Sequence, residues 1–256
     1  PEDLDLLRSI YQGLNGGNLN FIESNPETAE LIKYASNAFL ATKIAFINEM
    51  ANLSRACNAD IDAIGKAMGL DPRIGPEFLK PGPGYGGSCF PKDTRGLSHI
   101  AKSFDSPTTI TDAVIQSNLM HQDAMVDYIV QNAPKNAQLT LWGLTFKAHT
   151  DDTRESPALA IAKKLLANGF HLNVYDPMHK RIPRSILPKN VSWSSSPEQA
   201  TEASHAVVVL TEWPEFKTVN WADIHDNMAT PRIFDLRNLF NQAEMNAHSF
   251  EYFNLS

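Results

Sequence analysis

The run Leu139-Thr140-Leu141-Trp142-Gly143-Leu144 (LTLWGL, 139–144) is the first of four short apolar stretches that decide the fold. A helical pattern from Ser156 to Asn168, stopped by Gly169, separates it from the second, HLNVYDP (171–177). The third and fourth, AVVVL (206–210) and RIFDL (232–236), follow further helical segments. Apolar runs alternating with helices predict a parallel, doubly wound sheet, because a parallel strand needs a crossover helix to return the chain to the same edge. The class is α/β, with a Rossmann-like domain over 134–256.

Upstream of Ala133-Pro134 the apolar period is helical, and 25–133 is read as a separate all-helical domain. Ser24-Asn25-Pro26-Glu27 supplies a cap, a proline at the first helical position and an early acid for a helix running to about Ala56. At 1.5 Å per residue this helix is roughly 45 Å long, more than a small domain needs for its own core, so it is expected to run through a subunit interface. A shorter helix, Asp60 to Met68, stops at Gly69; the loop Leu70 to Ser88 follows. Another helix starts near Pro91, with Leu97, Ile100, Ala101 and Phe104 on one face, and Ser106-Pro107 opens one that reaches about Gln131. Residues 1–24 begin with an amphipathic helix (Leu4, Leu7, Ile10, Tyr11, Leu14) that stops at Gly16-Gly17, before a short apolar piece, Leu19 to Ile22. They are read as the tail of a preceding domain. Ser194-Ser195-Ser196-Pro197 reads as a loop and helix cap.

Composition narrows the function. The chain has 256 residues, 43% of them hydrophobic, enough for two packed domains. A net charge of -7 and a pI near 5.6 argue against a nucleic-acid binder, which needs a basic surface. Any anion site must be local. No apolar run approaches the ~20 residues of a membrane span and no signal peptide opens the sequence, so a cytoplasmic location without a membrane partner is expected. The two cysteines, Cys57 and Cys89, make neither a disulfide framework nor a metal cluster. Cys57, inside a helical pattern, reads as a packed core thiol.

Cys89 sits in Gly82-Pro83-Gly84-Tyr85-Gly86-Gly87-Ser88-Cys89-Phe90-Pro91-Lys92-Asp93 (GPGYGGSCFPKD). Gly82, Gly84 and Gly87 formally match a dinucleotide-binding turn, but Pro76, Pro81 and Pro83 break the strand that must precede one. The loop is either a turn-rich connector with an incidental cysteine or a ligand site. On the second reading its glycines let a bulky ligand lie against backbone, while the thiol, at a helix start near Lys92, is biased toward thiolate and nucleophilic. Gly87-Ser88-Cys89-Phe90 also echoes papain-like proteases, with His225 as a candidate base, but Pro83 stands where those enzymes keep a glutamine. Lys33 and Asn37 are one helical turn apart and share a face, either solvated or holding an oxyanion and a water. Asp93, one turn after Cys89, is a first-turn acid serving the dipole or a partner of the thiol.

Together with GLDPRIGPEFLKP (69–81), ELIKYASNAFLATKIAFINEM (30–50) and GLTFKAHTDDTRESPAL (143–159), this loop resembles the UDP-glucose/GDP-mannose dehydrogenase family, from about Asn25 to Arg237. The LDPRIGPEFLKPGPGYGG run is most similar to its UDP-glucose branch. The resemblance implies an NAD-dependent oxidation of UDP-glucose to UDP-glucuronate in two hydride transfers with a covalent thioester between them. It also implies a homodimer or higher oligomer built on the long helix, and a C-terminal domain that holds the nucleotide sugar. Dehydrogenases of GDP-mannose or UDP-N-acetylmannosamine share the thiol and architecture and remain the alternative, as does a non-catalytic dimerisation and nucleotide-sugar-binding fragment.

By the same resemblance, Cys89 is the nucleophile, Lys33 and Asn37 hold the tetrahedral oxyanion, and Asp93 works with a water near the lysine. Phe78, Lys80, Gly82, Pro83, Gly84, Tyr85 and Gly86 wrap the sugar and diphosphate. Phe146, Lys147 and Arg237 bind substrate from the C-terminal domain, and Arg73 reaches the partner subunit's site. Lys92 and Arg154 face the NAD cofactor, and no metal is implied. The family's N-terminal NAD-binding Rossmann domain has no counterpart in the sequence, so the chain alone is expected to fold but not to turn over.

Overall fold

The computed structural model describes residues 2–14 and 21–256. Five helices come first: α1 (Glu2–Leu14), α2 (Pro26–Cys57), α3 (Ile61–Gly69), α4 (Phe90–Ser103) and α5 (Thr109–Asn132). The stop expected at Gly16-Gly17, and Leu19 and Asn20 of the apolar piece, lie outside the described residues. Asn25 caps α2 by accepting from the Thr28 amide at 2.9 Å, and Asn58 ends it with a left-handed φ of 57°. Its 32 residues give a length of about 48 Å. Asp60 caps α3 in the same way, accepting from the amides of Asp62 and Ala63.

The second half holds β1 (Gln138–Trp142), α6 (Pro157–Ala167), β2 (His171–Tyr175), β3 (Ser192–Trp193), α7 (Pro197–Thr201), β4 (Ala206–Val209), α8 (Trp221–Asn227), β5 (Arg232–Asp235), α9 (Gln242–Ala247) and β6 (Glu251–Phe253). The six strands form one parallel sheet in the order β3-β2-β1-β4-β5-β6. The order reverses between β1 and β4, and the crevice outside their carboxyl ends is where doubly wound sheets bind ligands. Ser196 caps α7 by accepting from the Gln199 amide, as the Ser-Pro pair predicts. The edge strands β3 and β6, two and three residues long, carry no apolar run by which the sequence would announce them.

Along β4 the side chains alternate between two cores. Ala206 and Val208 face the cluster containing Leu139, Leu141, Ile161 and Phe234; Val207 and Val209 face that of Trp142, Phe216, Trp221 and Ile233. The first cluster also takes in Ile47 and Ala51 of α2, Ile61 of α3, and Met125 and Ile129 of α5. The helical half thus shares its main core with the sheet. A separate cluster in it holds Ala41, Ala45, Tyr85 and Val114, with Ile44 and Phe90 packed against them. Cys57, read from the sequence as a packed core thiol, is instead exposed, since the buried stripe of α2 stops one turn earlier, at Ser54.

Candidate active site

The glycine-rich loop is held from below by three buried polar side chains. Asn48 of α2 accepts from the Gly82 amide at 2.9 Å, and Asn118 of α5 accepts from the Tyr85 amide at 2.8 Å and donates to the Tyr85 carbonyl at 3.3 Å. His121 of α5 donates from Nε2 to the Gly82 carbonyl at 2.8 Å. Its tautomer follows from the network, because Arg55 donates to Asn52 Oδ1 and so turns the Asn52 amide nitrogen toward His121 Nδ1, 3.0 Å away. Burial pushes the His121 pKa down to about 4, so the ring is neutral near pH 7.

From above, the loop is backed by the sheet domain. The Gly87 amide donates to the Arg154 carbonyl at 3.0 Å. A Cβ on Gly86 would meet the Glu155 carbonyl oxygen at 2.4 Å, one on Gly87 the Phe146 ring at 2.9 Å, and one on Gly82 the Arg237 guanidinium at 3.0 Å. The glycines thus admit neighbouring protein groups, and Gly82, Gly84, Gly86 and Gly87 also line the adjoining cavity. Gly84, at a φ of 125°, adopts a conformation that L side chains rarely reach.

Between the loop and the carboxyl end of the sheet lies a cavity of about 480 Å³. Phe78, Lys80, Gly82, Gly84, Tyr85, Gly86 and Cys89 line it from the loop, and Phe146, Lys147 and Arg237 from the sheet domain. Pro83 is buried in the loop beside it. Arg237 is fixed by two hydrogen bonds, from Nε to the Leu210 carbonyl at 2.9 Å and from Nη2 to the Phe146 carbonyl at 3.3 Å, and by an ion pair of Nη1 with Glu212 at 2.9 Å. Lys147 lies 5.4 Å from the centre of the Phe146 ring.

Cys89 is exposed at the cavity wall, at the N-cap of α4, with the Ser88 hydroxyl 3.7 Å from its sulfur. One turn on, Asp93 is fully buried. Asn37 donates to its Oδ2 at 2.6 Å, Lys33 stands 3.6 Å from the same oxygen, and Lys92 binds Oδ1. Burial alone pushes the Asp93 carboxyl up, but the hydrogen bonds from Lys92 and Asn37 and the lysine charges outweigh it and hold it below the usual range. The bond to Asp93 in turn raises Lys92. The four residues expected beside the thiol are therefore gathered at one carboxylate.

Three other residues singled out in the sequence do not line this cavity. Arg73 is bonded to the Asp71 carboxylate through its amide, Nε and Nη2, and its side chain is 87% exposed, outside this cavity. Arg154 is likewise engaged by Asp152, at 2.9 and 2.7 Å. His225, on α8, pairs with Asp226 and packs on Phe250 outside the cavity lining. Sequence reasoning missed Glu212, although it follows the carboxyl end of β4, the position a switch-point crevice would mark. It also missed Asn48, Asn118 and His121, which occupy inward helix positions with no sequence signature of a site.

The described residues do not make a cradle for NAD. Gly82, Gly84 and Gly87 follow no strand, and a Cβ built on Gly143, the glycine after β1, would meet the Thr211 Cβ at 2.4 Å, so that turn is packed against protein. Among the described residues no cluster of metal-ligating side chains occurs, and no helix is long and apolar enough to cross a membrane.

Comparison with known proteins agrees with this geometry. Residues 27–119 match the model of the UDP-glucose/GDP-mannose dehydrogenase family, central domain, and residues 140–242 that of its UDP binding domain. A UDP-glucose 6-dehydrogenase of Rickettsia bellii is 43% identical over 98% of this chain and 59% of its own length. One from Bacillus subtilis is 42% identical over 91% of this chain and 53% of its own. Among solved structures, a UDP-glucose dehydrogenase of Pyrobaculum islandicum superposes with a TM-score of 0.79 at 31% identity, covering 90% of this chain and 51% of that one. A UDP-D-ManNAc dehydrogenase of Pyrococcus horikoshii gives 0.80 at 27% identity, over 98% and 56%. The chain thus spans between half and three fifths of the length of these relatives. It belongs to the UDP-glucose/GDP-mannose dehydrogenase family and carries that family's central and UDP-binding domains.

Proposed function

We propose that this chain is the cysteine-bearing and nucleotide-sugar-binding part of an NAD-dependent UDP-glucose 6-dehydrogenase, which oxidises the sugar's primary alcohol to a carboxylate. The observation that carries the reading is Cys89, exposed on a cavity lined by Lys80, Lys147 and Arg237, one helical turn from a buried carboxylate bound by two lysines and an asparagine. Local cations suit a diphosphate on an acidic chain. The names of the relatives, at 40 to 43% identity, favour UDP-glucose among the sugars.

NAD, when bound, would supply the acceptor for two hydrides, the first of them lost with a proton as the C6 alcohol becomes an aldehyde; the chain's own part is the chemistry at sulfur. The Cys89 thiol adds to the C6 aldehyde: the S–C6 bond forms and the thiol proton passes to the aldehyde oxygen. Loss of hydride and of the hydroxyl proton from that adduct leaves a thioester. Water then attacks C6, the S–C6 bond breaks, and the thiolate takes back a proton as the carboxylate leaves. Lys33 and Asn37, beside Asp93, stabilise the tetrahedral oxyanions and orient the water. Across the sequence, one alcohol, one water and two NAD give one carboxylate, two NADH and three protons.

We further propose that two copies pair through α2. Ile32, Phe39, Phe46 and Leu53 recur every seventh residue along it and are 48, 66, 43 and 57% exposed. Such an apolar stripe has the spacing of a helix seam. Sedimentation at micromolar concentration is expected to give a dimer; a monomer overturns the pairing.

The test of the activity is NADH yield per UDP-glucose, in a protein of the relatives' full length that carries this sequence. Two NADH per sugar, with turnover lost in Cys89→Ser, is the expected result. Two NADH with another nucleotide sugar only would move the specificity, and none with any would remove the activity. The 256-residue chain by itself is expected to form no NADH.

A further inference from the structure

On the far side of the cysteine loop, between α4, α5 and α6, lies a second and larger cavity of about 750 Å³. Tyr85, itself 5% exposed, lines both cavities and is the wall between them. The proposed chemistry at Cys89 uses none of this space.

Its lining is not that of an idle gap. Gln122 of α5 is 6% exposed, yet its amide has no hydrogen-bond partner among the described residues. Two cations open onto the same cavity. Lys163 of α6 forms no ion pair among the described residues, while Arg95 of α4 is bonded to Glu155 at 3.1 Å. Two positive charges against one carboxylate leave an excess of one. The amide offers a donor and an acceptor side by side, which matches hydroxyl groups, since each hydroxyl can accept one bond and give another. Ile115, Leu119 and Leu159 supply apolar wall, the mixture usual for small-molecule sites of this size.

We propose that this cavity is a second ligand site, for a sugar-sized anion bearing hydroxyl groups, with the anion at Lys163 and the hydroxyls at Gln122. The charge comes from either a carboxylate or a phosphate. The site stands apart from the dehydrogenase reading and would survive its failure.

The test is calorimetric titration of the chain with D-glucuronate and, separately, with D-glucose 6-phosphate. Saturable binding of at least one is expected, with a Kd of about 1 mM or tighter, weakened about tenfold by Lys163→Met and by Gln122→Leu. Arg237→Met and Cys89→Ser, which alter the first cavity, should change it by less than about twofold. Binding of glucuronate alone identifies a carboxylate ligand, and of the phosphate ester alone a phosphate ligand. Binding of neither, or binding lost in Arg237→Met and kept in Lys163→Met, overturns the proposal. Lys163 is exposed, so its variant keeps the fold and decides the matter even if Gln122→Leu does not.

Discussion

Cys57 and Cys89 are both exposed and both stand at helix ends, yet their surroundings are opposite in sign. Cys57 closes α2, where unpaired carbonyls give the helix its negative pole. Cys89 caps the start of α4, where amides point outward, on a cavity wall with Lys92 and Arg154 near it, two cations raised chiefly by their hydrogen bonds to Asp93 and Asp152. Exposure alone thus says little about a thiol. Under the proposed function, the pole of the helix it sits on and the cations around it are what would make one sulfur reactive and leave the other idle.

The largest expected effect tests that separation directly. In a full-length protein carrying this sequence, Cys89→Ser should lower turnover of UDP-glucose by about 10³-fold or more, and Cys57→Ser by less than about twofold. Similar losses at the two sites would break the comparison. Next comes the backing of the loop, which Cys57 lacks. Gly86→Ala drives a Cβ against the Glu155 carbonyl and should cost about 3 kcal/mol in urea unfolding, whereas Asn58→Ala, beside Cys57, should cost about 1 kcal/mol.

Smaller is the pH dependence contributed by His121 beneath the loop. Its folded pKa lies below that of the unfolded chain, so the unfolded state takes up the proton first. Stability is complete above about pH 6.5 and falls as pH drops toward 4. Between pH 7 and 5 the loss should be on the order of 2 kcal/mol, and His121→Gln should flatten it in paired denaturation curves. An unchanged slope in that variant would assign the acid sensitivity to other groups. Last is reactivity itself: near neutral pH, iodoacetamide should label Cys89 about tenfold faster than Cys57. Equal rates would leave the helix pole and the cations without consequence.

Local chemistry was legible in the sequence where it acts over a few residues. Asn25-Pro26 announces the start of α2, AVVVL announces a strand buried on both faces, and GPGYGGSCFPKD announces a site. What depends on distant packing was not. Nothing near Gly86 reveals that the Glu155 carbonyl will lie against it, 69 positions away. Glu212 and His121 joined the site only when β4 and α5 came to rest beside the loop. Cys57 keeps a helical period with α2 yet falls beyond the reach of the elements that cover it, which no periodicity can register.

The shared core has one more consequence. Since Ile47, Ile61 and Met125 pack in the same cluster as Leu141 and Phe234, the floor and the roof of the Cys89 cavity are bolted to a single apolar spine. Opening that cavity like a jaw would expose this spine to water, at roughly 25 cal/mol for every Å² uncovered. The two walls therefore form a fixed vise whose width is set during folding, and calorimetry should record their melting as one cooperative event.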